Sequence, residues 1–107
     1  MIRITVACAA GMSTSLLVSK MEKHAVKEQL NVSILAVPEK QFEKYLEETD
    51  ILLLGPQISF LETRYKQMYD EAPLIITSIA AVDYGRMDGE KVLNKALSLL
   101  KGGKTNG

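Results

Sequence analysis

The chain has 107 residues, 47% of them hydrophobic and 24% charged, a composition that fits one globular domain with an ordinary core and leaves no room for a second. Thirteen Lys plus Arg balance thirteen Asp plus Glu, so no global field favours nucleic acid or an anionic membrane, and any anion must be held locally. One cysteine (Cys8) and one histidine (His24) exclude an internal disulfide and a Cys/His zinc site, and apolar runs of about six residues fall far short of the roughly 20 needed to cross a bilayer.

Ile2, Ile4 and Val6 alternate with Arg3, Thr5 and Ala7, which predicts a strand over residues 2 to 7. An N-terminus that begins as a strand is not a signal peptide, and a cytoplasmic location is expected. Gly11 breaks the pattern. From Ser13 the period changes: Leu17, Val18, Met21 and Ala25 fall on one helical face and Lys20, Glu22, Lys23 and Lys27 on the other, predicting a helix over 14 to 29 that runs to the Asn31 turn. Val32 to Val37 is a second strand ended by Pro38. Phe42, Tyr45 and Leu46 then recur at helical spacing within 39 to 47.

Ile51 to Leu54 is an unbroken apolar run of the kind buried on both faces of a parallel sheet, stopped by Gly55-Pro56. A shorter helix is predicted over 59 to 70, with Phe60, Leu61, Tyr65 and Met68 as its apolar positions, and Pro73 precedes a last strand at Leu74 to Thr77. A longer connection through Tyr84-Gly85-Arg86-Met87 leads to Asp88, a predicted N-cap, and to a final helix whose buried stripe is Leu93, Ala96, Leu97 and Leu100. Gly102-Gly103 is expected to end the fold, giving a domain over 1–103 and a disordered tail over 104–107. Strands and helices alternate throughout, which calls for an α/β fold with a parallel sheet between helical layers.

In open parallel sheets, ligands bind beyond the carboxyl ends of the strands where the strand order reverses, and the first strand usually flanks that point. Cys8 sits there. Ala9, Ala10, Gly11, Met12, Ser13, Thr14 and Ser15 follow it into a helix; a loop of small residues lets successive backbone N–H groups curl around an anion at the positive helix end. A helix N-terminus also favours the thiolate of a cysteine held near it. A lone cysteine is otherwise a common core residue, and one of Ser13, Thr14 and Ser15 is expected to serve as an ordinary N-cap. His24 lies about three helical turns beyond the loop, roughly 15 Å along the axis, too far for direct transfer to Cys8. Gln57, Tyr84 and Asp88 lie near strand ends and are candidates for the rim of the site, although turn and capping roles explain them as well.

The segments C-A-A-G-M-S-T-S from Cys8, L-L-G-P-Q at 53 to 57 and Y-G-R-M-D-G at 84 to 89 together resemble the lactose/cellobiose (chitobiose) type of enzyme IIB of the bacterial sugar phosphotransferase system, over essentially residues 2 to 101. The resemblance implies a flavodoxin-like four-stranded parallel sheet of order 2-1-3-4 and a phosphocysteine intermediate at Cys8. It further implies a IIA protein donating from phosphohistidine and a membrane IIC protein presenting a sugar, a β-linked disaccharide such as cellobiose or chitobiose. No metal and no nucleotide cofactor is expected, and the size and neutral charge suit a monomer. Met12, Leu16 and Pro56 are candidates for an apolar docking patch on the loop face.

Two rivals share such a fold. A low-molecular-weight tyrosine phosphatase places an Arg where this chain has Thr14 and uses an Asp-Pro pair that is absent here, so ester hydrolysis lacks its anion fork and its acid. A non-catalytic regulatory module would use the same fold without transferring phosphate. Thiol redox chemistry lacks a second cysteine.

Overall fold

The computed structural model of the chain describes residues 1–9 and 14–106, those from 101 onward as helical backbone. Strands β1 (Ile2–Cys8), β2 (Val32–Pro38), β3 (Ile51–Leu54) and β4 (Ile75–Ser78) form one sheet in the order β2-β1-β3-β4, with every neighbouring pair parallel. Helices α1 (Thr14–Lys27) and α4 (Gly89–Asn106) pack on one face. Two 3-10 helices (Glu39–Glu48 and Pro56–Leu61) and helix α2 (Glu62–Met68) cover the other, and a short helix α3 (Ala81–Gly85) follows β4. This is the doubly covered architecture that the alternating pattern calls for.

The two faces follow from the two-residue period of a strand. Ile4, Val6 and Cys8 of β1 join Ile51 and Leu53 of β3 against Leu17, Met21 and Leu93. Ala7, Leu52 and Leu54 point the other way, into Phe42, Ile58 and Tyr65. Full burial of one such Leu or Ile contributes about 1.5–3 kcal/mol, which explains why β3 carries no polar residue. Thr5 is the buried polar residue of β1. Its buried hydroxyl donates to Thr49 Oγ1 at 2.7 Å, and Thr49 donates in turn to the Tyr45 carbonyl at 2.8 Å, so neither hydroxyl is left unsatisfied.

Several local expectations are corrected. The segment read as a helix over 39–47 is a 3-10 helix, Glu39–Glu48; Phe42 and Tyr45, three apart, share a face in either geometry, so spacing does not separate the two. The helix expected over 59–70 is split. Pro56 opens a 3-10 turn at a position where its missing N–H is not needed, Ile58 is non-helical (φ −123°, ψ 21°), and α2 begins only at Glu62. That phase shift buries Tyr65 but leaves Phe60 and Met68 exposed, contrary to their reading as one stripe. Helix α3 was not anticipated, since five residues are too few to show a period. Helix α1 stops at Lys27 rather than 29 because Gln29 is left-handed (φ 56°), with Leu30 N–H bonded to Ala25 O and Gln29 N–H to Val26 O, a Schellman end. Helix α4 runs to Asn106, past Gly102-Gly103; glycine weakens a helix by about 1 kcal/mol but, unlike proline, leaves its hydrogen bonds possible.

Candidate functional site around Cys8

From β1 the chain passes through α1 to β2 on one side, then crosses back beneath β1 to β3 on the other. The strand order therefore reverses between β1 and β3, and a crevice is expected at their carboxyl ends. Cys8 is the last residue of β1 and Gly55 directly follows β3, its N–H donating to the Ala7 carbonyl at 2.9 Å. The two residues are neighbours across the reversal point.

Their contact is intimate. A Cβ on Gly55 would stand 2.3 Å from Cys8 Sγ, 3.5 Å from Cys8 Cβ and 3.0 Å from Gln57 Oε1. The sulfur thus lies over the bare face of Gly55, and the amide end of Gln57 reaches back over the same point. Gly55 has φ −60° and ψ 154°, backbone that any residue adopts, so its role here is space and not conformational freedom. Cys8 itself is only 2% exposed. Burial alone fits a packed thiol; what a packed thiol does not require is a place at the strand-order reversal, over the bare face of a glycine.

Thr14 opens α1 and is 7% exposed, and its Oγ1 is buried with no hydrogen-bond partner among the described residues. An unmet buried hydroxyl costs about 1–3 kcal/mol, and this one stands in the first turn of α1. Ser15 is exposed and Ala9 half-buried. Ala10, Gly11, Met12 and Ser13, four of the seven residues assigned to the phosphate loop, lie outside the described residues.

The rim candidates separate. Gln57 brings its amide oxygen to the face of Gly55 that the sulfur adjoins, and Tyr84 of α3 is buried in the same apolar cluster as Cys8. Asp88 instead caps α4, its Oδ1 accepting from Lys91 N–H at 3.1 Å, as its sequence position suggests. The adjacent Gly89 presses on the backbone of α1 at Lys20 and Met21, where an added Cβ would come within 2.6 Å. That contact lies well below the start of α1. His24 also belongs to the helix interface: Nε2 is 3.3 Å from Asn94 Oδ1 and Nδ1 is 3.9 Å from Glu90 Oε1.

The segments after the strands are pinned. Ser78, at the end of β4, donates to Glu62 Oε1 at 2.6 Å, and Lys66 Nζ meets Glu62 Oε2 at 2.8 Å. The Lys66 ammonium, with the Ser78 hydroxyl second, holds the Glu62 carboxyl below its usual range. These contacts hold the start of α2 against the sheet. Three apolar side chains stand out on segments that begin at strand ends: Leu16 at 51% exposed, Phe60 at 75% and Val82 at 55%. Leu16 was a sequence candidate for docking. Phe60 and Val82 were not, because the first was counted into a helix stripe and the second lay in a connection with no predicted element. Pro56 is half-buried and Met12 is outside the described residues.

Comparison with known proteins gives one consistent result. The family model described as "PTS system, Lactose/Cellobiose specific IIB subunit" matches residues 3–95. The oligo-beta-mannoside-specific EIIB component of Bacillus subtilis is 37% identical over 98 residues, covering 92% of this chain and 95% of that protein. The galactose-specific EIIB component of Lactococcus lactis subsp. cremoris is 41% identical over 102 residues, covering 91% and 94%. The solution structure of a cellobiose-specific phosphotransferase IIB component from Borrelia burgdorferi superposes with a TM-score of 0.74 at 37% identity, covering 91% of this chain and 89% of that one. A lactose-specific IIB domain from Streptococcus pneumoniae superposes with a TM-score of 0.82 at 16% identity, covering 91% and 95%, a likeness of fold.

Proposed function

The chain belongs to the lactose/cellobiose-specific IIB family of the sugar phosphotransferase system, and from that membership we propose that Cys8 carries the phosphoryl group. The observation that carries the reading is the place of the sulfur: at the carboxyl end of β1, at the strand-order reversal, over a residue that must be glycine to leave room for it.

In the first half-reaction the N–P bond of a phosphohistidine on a IIA protein breaks as an S–P bond forms at Cys8. The departing imidazole keeps the N–P electron pair and takes up the thiol proton. In the second, a hydroxyl oxygen of a sugar held by a membrane IIC protein attacks phosphorus. The S–P bond breaks, the thiolate keeps its electron pair, and the hydroxyl proton passes to solvent. Catalysis then rests on positioning and on hydrogen bonds to the equatorial oxygens. Loop amides over Ala9 to Ser15 and the Thr14 hydroxyl supply these donors, with Thr14 Oγ1 supported by its unmet buried state. The same residue counts against hydrolysis, because the phosphatase reading needs an arginine fork at position 14.

The names of relatives specific for oligo-beta-mannoside and cellobiose support a β-linked disaccharide as the acceptor sugar, with the protein acting in the cytoplasm. Leu16, Phe60 and Val82 supply apolar contacts to partners that reach Cys8 in turn. Incubation with phosphorylated IIA and peptide mapping tests the reading: label should sit on Cys8 and vanish in Cys8→Ser. Label of equal extent on another residue of Cys8→Ala would remove it.

A further inference from the structure

Gln57 is an exposed residue whose amide end lies beside Gly55. Its amide folds back over Gly55 until Oε1 lies 3.0 Å from the point that a Cβ would occupy, with Cys8 Sγ 2.3 Å from the same point. Both atoms crowd the space above the bare Cα of Gly55, which places the amide end of Gln57 near the sulfur. Pro56 and Gln57 form the first turn of the 3-10 helix, tied down by Ile58 N–H to Gly55 O at 3.0 Å. The backbone beneath the amide is therefore fixed, and only the side-chain torsions are free.

A carboxamide offers one accepting oxygen and two N–H donors. Its oxygen is the amide atom nearest Gly55, in the space that Cys8 Sγ also adjoins. Turned about its last torsion, it presents N–H to whatever negative charge the sulfur then bears. Resting on the phosphocysteine reading above, we infer that Gln57, its amide end already near the sulfur, turns its N–H outward from Gly55 and donates a hydrogen bond to a phosphoryl oxygen once Cys8 is phosphorylated. A neutral donor suits a carrier: it stabilises the dianion enough to form it, without the bidentate, fully charged grip of an arginine that would hinder onward transfer.

The test compares wild type, Gln57→Ala and the near-isosteric Gln57→Glu in two measurements. One is the fraction of phosphocysteine at equilibrium with a fixed ratio of phosphorylated to free IIA. The other is the pH titration of the 31P resonance of the phosphocysteine. A hydrogen bond to a charged group implies a fall in the phosphorylation equilibrium constant of about tenfold or more in Gln57→Ala, with a larger fall in Gln57→Glu, whose carboxylate opposes the dianion. The 31P titration midpoint should move up in both variants, since each stabilises the dianion less; a packing role alone leaves that midpoint in place. Unchanged equilibrium and an unchanged midpoint in Gln57→Ala overturn the inference while the phosphocysteine stands. Wild type that takes no phosphate on Cys8 overturns both.

Discussion

Gly55→Ala is the most informative single substitution in this protein. The backbone at residue 55 is already in a conformation open to alanine, and its N–H is held by the Ala7 carbonyl, so the added methyl brings no backbone strain. It brings a collision. The new carbon would stand 2.3 Å from Cys8 Sγ, where non-bonded heavy atoms rest at about 3.5–4.0 Å, an overlap of more than about 1 Å. Gln57 Oε1, at 3.0 Å, belongs to a flexible side chain and can withdraw, but Sγ is attached to a buried central strand. Overpacking of this kind costs about 1–3 kcal/mol, which in a domain of this size lowers the thermal midpoint by roughly 4 °C or more per kcal/mol. The cause can be isolated in a double-mutant cycle. In a Cys8→Ala background the remaining Cβ lies at an ordinary 3.5 Å, so Gly55→Ala should there be close to neutral, with a coupling of about 1–3 kcal/mol between the sites. Urea unfolding of the four proteins measures it. If Gly55→Ala destabilises both backgrounds equally, the sulfur does not lie over Gly55 and the site geometry is wrong.

Gly89→Ala should destabilise by about 1–3 kcal/mol in the same assay, because its Cβ would meet α1 backbone at 2.6 Å; helix propensity alone predicts a gain of about 1 kcal/mol, so the sign decides between them. Gln29→Gly should stabilise by roughly 0.5–1 kcal/mol, since position 29 is left-handed at φ 56° and glycine takes that conformation without a Cβ penalty. Asp83 is held below the usual carboxylate range chiefly by its hydrogen bond from Lys95, with Lys91 adding charge, and Asp50 is lowered by Arg3. Stability from a depressed carboxyl is complete above its unfolded value of about 4 and is lost as pH falls through the native value. Asp83→Asn should therefore lose less stability than wild type on acidification below about pH 4, measured by urea midpoints, and an unchanged acid slope contradicts the pairing.

The sheet was legible because burial on two faces leaves a plain mark: Ile51 to Leu54 has no polar residue, and a strand with none has to be central. The alternation before Cys8 and the glycine after it located the sulfur at a strand end, and Asp88 was readable as a cap because capping is local. What stayed hidden depends on contacts between distant parts of the chain. Gly55 reads as a strand stop, and only the packing of Cys8, 47 positions earlier, shows why it has no side chain. Gly89 likewise looks like a turn residue until α1 is seen against it. Phe60 and Met68 were misread because a 3-10 turn before α2 shifts the helical phase, and sequence spacing does not reveal where one helix type gives way to the other. His24 belongs to the interface between α1 and α4, and its hydrogen-bond partner there lies 70 residues away.

The central claim is that the sulfur of Cys8 bonds covalently to phosphorus, and a phosphorus–proton correlation spectrum of the protein after reaction with phosphorylated IIA tests it most directly. The account predicts one 31P resonance correlated with the Cys8 β-protons. A resonance correlated instead with the His24 ring or a serine or threonine side chain, with Cys8 unmodified, would contradict it.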